Sequence, residues 1–531
     1  SLQPFNGTTR KAAYSSRLQL LRDWLSIYVR NDVSSDQAAA YAAHELGHLE
    51  LHQPQELCSG SDPDAGASRA LSRVEAYGPR ERRELQANVF AREFLLPRSL
   101  ARQLFLVECK SAADIAQTLK LPYPLVRRQL LDSLLGPDIA EQSVDMVAPQ
   151  QKRDESQWAA ATFEGSALLL EAGPGSGKTR TLVMRIEHLL AQPTVSARDI
   201  LALTFSNKAA GDLADRIAKA HPNAAAEMWT GTFHAFGLDL IRRYYDKLGL
   251  PNNVQLIDKA QAIELLEDRL PLMGLKHYHD LRNPDQGLVK ILSAISRAKD
   301  ELVDHEDFGR RASAALEVAT SEKEIIAAER SCEAATVYRV YTETLREAGA
   351  VDFGDLVMLP ALLIGRNDAV REQVAQRHSH VLVDEYQDVN RASARLLIEL
   401  YRAGSRLWVV GDARQSLYRW RGASSANMAG FEADFAGGQR LPLGHNYRST
   451  DHIVSLSRRF AADMRAGKNG LAYKAAAQRS EEGSTTKLLV GRNDDCEGEL
   501  LAAEIKRLVE AGVPLATQAV LAPTNGRLDI M

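Results

Sequence analysis

The sequence predicts an α/β multidomain protein. Its main lobe is a parallel sheet with helices on both faces, carrying a helical insertion. A small, mostly helical α+β domain precedes it. Three observations predict this. Short apolar runs, "ALLLEAG", "ILALTFS", "HVLVDEY" and "RLWVVGD", alternate with helical stretches after residue 156, and unbroken apolar runs of this kind fit strands covered on both faces. The glycine-rich stretch "AGPGSGKT" stands between a strand-like run and a helix-like one. Ahead of residue 136 the texture is different, helical and punctuated by proline, and contains "HELGH".

Composition sets the outer bounds. A chain of 531 residues holds three or four domains at roughly 100–200 residues each. Apolar residues at 45% and charged residues at 25% are ordinary globular usage. No apolar run is long enough to span a membrane, and the start "SLQPFNGTTRKAAYSS" lacks the apolar core of a signal peptide. Four cysteines without paired spacing (Cys58, Cys109, Cys332, Cys496) suit a reducing compartment, so a cytoplasmic location is expected. With a net charge of −4, any binding of nucleic acid must come from local grooves and not from bulk charge.

In chain order, residues 20–30 end in an alternating stretch that reads as a short strand. Residues 36–53 read as a helix stopped by Pro54, and 59–72 as a polar loop. "RERRELQANVFAREFLL" reads as a helix ended by Pro97. "SAADIAQTLKLPYPLVRRQLLDSLL" reads as two short helices around a turn, a pattern shared by DNA readers and by ordinary helix packing. Residues 136–156 are polar, with Pro and Gln, and mark the best domain boundary. Residues 240–350 are helical and charge-rich and suit an inserted subdomain, so the expected organisation is a first domain over 1–135, a linker over 136–156 and, as the family resemblance of the motifs after Gln157 implies, a first lobe in two pieces (157–239 and 351–440) around that insertion with an incomplete second lobe over 441–531.

The glycine-rich loop has the context a phosphate cradle needs. Gly173, Gly175 and Gly177 let backbone N–H groups, with that of Ser176 among them, turn toward phosphates at the positive end of a helix. Lys178 would reach the β- and γ-phosphates of ATP, and the Thr179 hydroxyl would bind Mg2+. "VLVDEYQD" is an apolar strand ending in paired carboxylates. Asp384 can hold the Mg2+, and Glu385 can orient or deprotonate the attacking water.

From Gln157 onward the chain resembles the UvrD/Rep/PcrA family of superfamily-one DNA helicases, with its motifs in order. The resemblance implies that Gln157 reads adenine and that "LTFSNKAAGDLADRI" contacts DNA through Phe205, Asn207 and Lys208. It implies a second DNA contact in "TGTFHAFG" through Thr232, Phe233 and His234. In "VGDARQSLYRWRGA" Gln415 would sense the γ-phosphate, while Tyr418 and Trp420 stack on bases. In "LGHNYRST" Tyr447 would stack on adenine and Arg448 would reach the γ-phosphate. Stacking on aromatic rings is sequence-blind, at roughly 1–3 kcal/mol per base, which suits a translocase on single-stranded DNA. The family's polarity implies 3′ to 5′ movement. The resemblance breaks off at "AVLAPTNGRLDIM", before a further insertion and later motifs, so a partial second lobe and a weakened ATPase are expected.

"HELGH" places His44 and His48 four apart, on one face of a helix, where both can hold one Zn2+ with Glu45 beside it to polarise a water. Glu50 and His52 nearby read as solvated helix surface. Gly47 within the motif, and "ELQANVFAREFLLP" downstream, resemble the ImmA/IrrE family of bacterial zinc metallopeptidases. That resemblance implies Glu84 as the third zinc ligand. The combined expectation is a zinc metallopeptidase domain fused to an ATP-dependent motor on single-stranded DNA, acting in DNA repair, stress response or anti-phage defence, with a protein substrate or regulator as partner. Two rivals stay open: a plain helicase whose N-terminal domain is a non-catalytic adaptor, and a DNA-sensing scaffold that binds nucleotide without turning it over.

Overall fold

The computed structural model describes residues 2–5, 16–21, 24–30, 34–51, 79–135, 154–278, 284–416, 426–462, 464 and 486–522. The loop expected at 59–72, and all but the end of the 136–156 boundary, lie outside them.

The N-terminal part opens with three strands, β1 (Leu2–Phe5), β2 (Ser16–Leu21) and β3 (Trp24–Arg30), in the order β1-β3-β2. β1 runs parallel to β3 and β2 antiparallel to it. Only the last of these was foreseen as a strand. Two helices follow, α1 (Ser35–Leu51) and α2 (Pro79–Leu95), and they pack very closely. A Cβ placed on Gly47 would lie 3.0 Å from the Ala87 Cα, and Ala43, Ala87 and Ala91 are buried between them. Small residues at the crossing are what allow this approach, and it is the physical reason for a glycine inside "HELGH". The two expected short helices are Ala112–Leu119 and Tyr123–Leu135. The first starts with a capping box between Ser111 and Asp114, and both bury Ile115, Val126 and Leu130 against Leu96.

The main sheet has six strands: β4 (Ala167–Glu171), β5 (Ile200–Thr204), β6 (Trp229–Thr232), β9 (His380–Val383), β10 (Arg406–Gly411) and β11 (Gln439–Pro442). Their order is β11-β4-β10-β9-β5-β6, and every pairing is parallel. Successive side chains on a strand face opposite ways, so each apolar run feeds two cores. Leu169, Leu201, Val381 and Val409 pack with Phe236, Leu356 and Leu397 on one face. Leu168, Leu170, Leu382 and Trp408 pack with Leu182, Ile186 and Leu213 on the other. The sequence missed β6 and β11 as strands. β6 is short and carries a glycine; β11 ends in Pro442 and lies on the sheet's edge, where a missing N–H costs least.

The helical insertion is clipped at its base by two short parallel strands, β7 (Gln255–Leu256) and β8 (Ala350–Val351). Its helices include Pro284–Asp300 and the long Glu322–Ala348, which share a core of Ile291, Leu292, Ile295, Val337, Tyr338 and Tyr341. Residues 445–463 and 475–531 form a second compact unit. Its described residues include the helices Asp451–Ala462 and Asp494–Glu510.

Candidate functional site

All the chemistry-bearing turns of the main sheet leave the carboxyl ends of its strands, the usual place for a site in a parallel sheet. After β4, Gly175 and Gly177 take φ of 72° and 88°, a left-handed backbone that glycine adopts without strain. The loop is braced from inside, since the Ser176 hydroxyl donates to the Gly173 carbonyl at 2.7 Å. Gln157, on the helix Glu155–Ala161, donates its side-chain N–H to the Ser176 carbonyl at 3.0 Å. The helix Lys178–Leu190 then begins with its N–H groups at the loop.

Lys178 Nζ lies 2.8 Å from a Glu385 carboxylate oxygen. The phosphate loop and the end of β9 are thus parts of one site. Glu385 itself sits at φ 51°, a costly conformation for a non-glycine residue that concentrates at functional sites. Its carboxylate also accepts from Gln387 Nε2 at 2.6 Å. Gln387 Oε1 in turn accepts the Asp412 N–H at 2.9 Å, and Gln415 Nε2 donates to Asp412 Oδ2 at 2.8 Å. Asp384 is buried beside this network. Burial, and then the neighbouring Glu385 charge, push its carboxyl up to about 6. Such a group is poorly solvated by water and well placed for a cation. Thr179 is half-buried at the start of the helix.

The turns after β5 and β6 open instead on a cleft of about 880 Å³ between the main lobe and its helical insertion. Phe205, Asn207, Thr232, Phe233 and His234 line it, as does Phe353, whose ring centroid is 6.4 Å from that of His234. The Thr232 hydroxyl is occupied as the cap of the helix Phe233–Arg243. Lys208 is exposed and does not line the cleft. Tyr418 and Trp420 lie outside the described residues. Tyr447 and Arg448 belong to the second unit. There the Tyr447 ring stands edge-on to His445, and the Arg448 N–H donates to Asn446 Oδ1 at 2.9 Å.

On α1, the His44 and His48 Nε2 atoms are 3.1 Å apart, close to the ~3.3 Å edge of a tetrahedron of nitrogens around zinc. His44 Nδ1 lies 2.8 Å from Asn88 Oδ1 on α2, a bond that places the Nδ1 proton and leaves Nε2 as the lone-pair nitrogen. Glu45 is fully buried. The donor pair fits a zinc ion. Glu84 falls on α2, but its side chain is outside the described set; among the described residues no three His, Cys, Asp or Glu side chains converge as a metal cage.

Residues 153–436, more than half of the chain, match the family model of the UvrD/REP helicase N-terminal domain. The chain belongs to the UvrD/Rep helicase family. It is 34% identical over 376 residues to the ATP-dependent DNA helicase PcrA of Bacillus subtilis, a match covering 71% of this chain and 48% of that protein. It is 34% identical to UvrD1 of Mycobacterium leprae, over 70% of this chain and 46% of that protein. It is 32% identical to Rep of Escherichia coli, over 66% and 48%. This helicase-family chain spans about half the length of the curated relatives it matches. Residues 9–131 match the IrrE N-terminal-like domain of the M78 peptidases, so the protein is a fusion of the two families. Among the described residues no helix is long and apolar enough to cross a membrane.

Sequence reasoning about the helicase motifs missed Gln387, which links Glu385 to Asp412. It also missed Phe353 and the polar wall that the insertion gives the cleft. Gln387 stands inside a motif already singled out. Phe353 carried no signal, because only the fold brings it to His234.

Proposed function

We propose that this protein is an ATP-dependent motor on single-stranded DNA, moving 3′ to 5′, fused to a zinc metallopeptidase domain. The observation that carries the motor reading is the joining of Lys178 and Glu385 in one site, with a cleft lined by Phe205, Asn207 and His234 opening from the same sheet edge. Lys178 holds the β- and γ-phosphates, displacing its bond to Glu385, and Gln157 lies beside the adenine end. Thr179 and Asp384 would hold Mg2+, which would supply charge neutralisation at the phosphates. Glu385, released from Lys178, orients the attacking water. Gln415, tied to Asp412, is placed to register the γ-phosphate. The cleft's lining carries Asp258, Asp300, Asp352 and Asp388 as well as Lys259 and Arg297, with Asp352 paired to the buried Lys299. A strand in the cleft would meet the rings of Phe205 and His234.

In the N-terminal domain His44, His48 and Glu84 would hold zinc, which supplies a Lewis acid for amide hydrolysis. Glu45 accepts the proton of the attacking water and passes it to the leaving amine. A motor that meets unusual DNA, joined to a peptidase, suits the cleavage of a regulator in DNA repair, stress response or anti-phage defence in the bacterial cytoplasm.

The test is ATP hydrolysis with and without oligo-dT, in the wild type and in Lys178→Ala and Glu385→Gln. The motor reading expects stimulation by DNA and its loss in both variants. Nucleotide binding with no stimulation would leave a DNA-sensing scaffold in its place.

A further inference from the structure

The last residue of the insertion helix Pro284–Asp300 lines the cleft and meets the segment that follows Glu385. Asn390 Nδ2 donates to Asp300 Oδ1 at 2.6 Å. Asn390 Oδ1 meanwhile caps the next helix by accepting the Ser393 N–H at 2.9 Å. Both residues lie on the cleft wall. We propose that the Asn390–Asp300 hydrogen bond is a tie through which the nucleotide site sets the position of the insertion, and hence the grip on single-stranded DNA. This rests on the reading of the two sites given above and names positioning residues for it.

Three features carry the inference. The first is continuity, since one short segment holds Glu385 and Asn390 at its two ends. Its first part is strained at Glu385 and bonded to Lys178, Gln387 and, through Gln387, Asp412. A phosphate that takes Lys178 away from Glu385 disturbs that part first. The second is stiffness at the far end. Lys299, next to Asp300, is buried between Asp352 Oδ2 at 2.9 Å and Asp355 Oδ1 at 2.8 Å, and the Tyr341 hydroxyl donates to Asp352 at 3.0 Å. A shift at Asp300 is therefore passed to the whole insertion helix and not absorbed by a loose end.

The third feature is that a purely structural role does not account for Asp300. A carboxylate at a helix C-terminus faces the negative end of the helix dipole. Burial also pushes this one up to about 6, against the pull of Arg297. The capping of the helix Arg391–Arg402 needs only the Asn390 oxygen. An acid kept where it costs stability, bonded to a donor that leads to the phosphate site, is what a coupling element requires.

The experiment measures the dissociation constant of the full chain for fluorescent oligo-dT, with no nucleotide and with a saturating non-hydrolysable ATP analogue and Mg2+. Coupling of this kind gives a ratio of about 5–150-fold between the two states. Asn390→Ser keeps a good helix cap but removes the longer side chain whose Nδ2 reaches Asp300, and Asp300→Ala removes the acceptor; both should bring the ratio close to one. Asp300→Asn keeps an oxygen acceptor and should restore it. Nucleotide affinity without DNA should change by less than about twofold, measured with a fluorescent nucleotide. A wild-type ratio of one with both ligands bound, or a wild-type ratio retained in Asn390→Ser and Asp300→Ala, overturns the tie. Absence of oligo-dT binding in every state overturns the reading of the cleft itself, and the tie with it.

Discussion

At the scale of single residues, the positions with the strongest consequences are the ones bonded to motif residues. Asn88 fixes the tautomer of His44. Replacing it with Ala should weaken zinc binding by roughly 10–100-fold, as for other partners of metal-bound histidines, while Asn88→Asp should hold zinc at least as well. Competition with a chromophoric chelator reads this without any peptide substrate. Asp300 sets a pH dependence. Its folded pKa of about 6 lies above the unfolded value near 3.9, so the native state binds the extra proton between those limits and gains stability as pH falls from 7 to 5. The gain from this group is about 1 kcal/mol. Unfolding free energies from urea titrations should rise between pH 7 and pH 5 by about 1 kcal/mol less in Asp300→Asn than in the wild type.

At the scale of elements, the buried strands were legible because an unbroken apolar run has few other homes. Leu168, Leu169 and Leu170 are all buried, on alternate faces of β4. Leu169→Ala should cost about 2–5 kcal/mol in unfolding free energy, measured by denaturant titration, since the site is closed on all sides. Helix contacts were less legible. A Cβ on Gly237 would collide with the Leu356 carbonyl, so Gly237→Ala should destabilise despite its better helix propensity, lowering the melting temperature of the main lobe. Nothing near Gly237 in the sequence announces the helix Asp355–Arg366 that presses on it. The same holds for Asp300 and Asn390, which meet only through the fold. Motif residues such as Gly177, Lys178 and Glu385 were readable because their chemistry is written in adjacent letters.

At the scale of the whole molecule, the two units differ in how much they bury. In the second unit, Val454 is the sole fully buried apolar side chain among the described residues. Leu488 and Leu521 are 89% and 92% exposed. With so little core among its described residues, the segment 445–531 expressed alone should melt without a sigmoidal transition by circular dichroism. Sequence reading placed this region as part of a motor lobe from "LGHNYRST", a local motif. It had no means of weighing the burial of residues on either side.

The contact between Gln157 and the Ser176 carbonyl has a mechanical consequence. The helix Glu155–Ala161 is the first described element after the interval that follows the N-terminal domain, and Asp154 caps it. Tension arriving from that side enters at Asp154, three residues before Gln157, whose side chain holds the phosphate loop. A load that reaches this helix would loosen Gln157 first, and with it the backbone brace at Ser176 that shapes the phosphate loop.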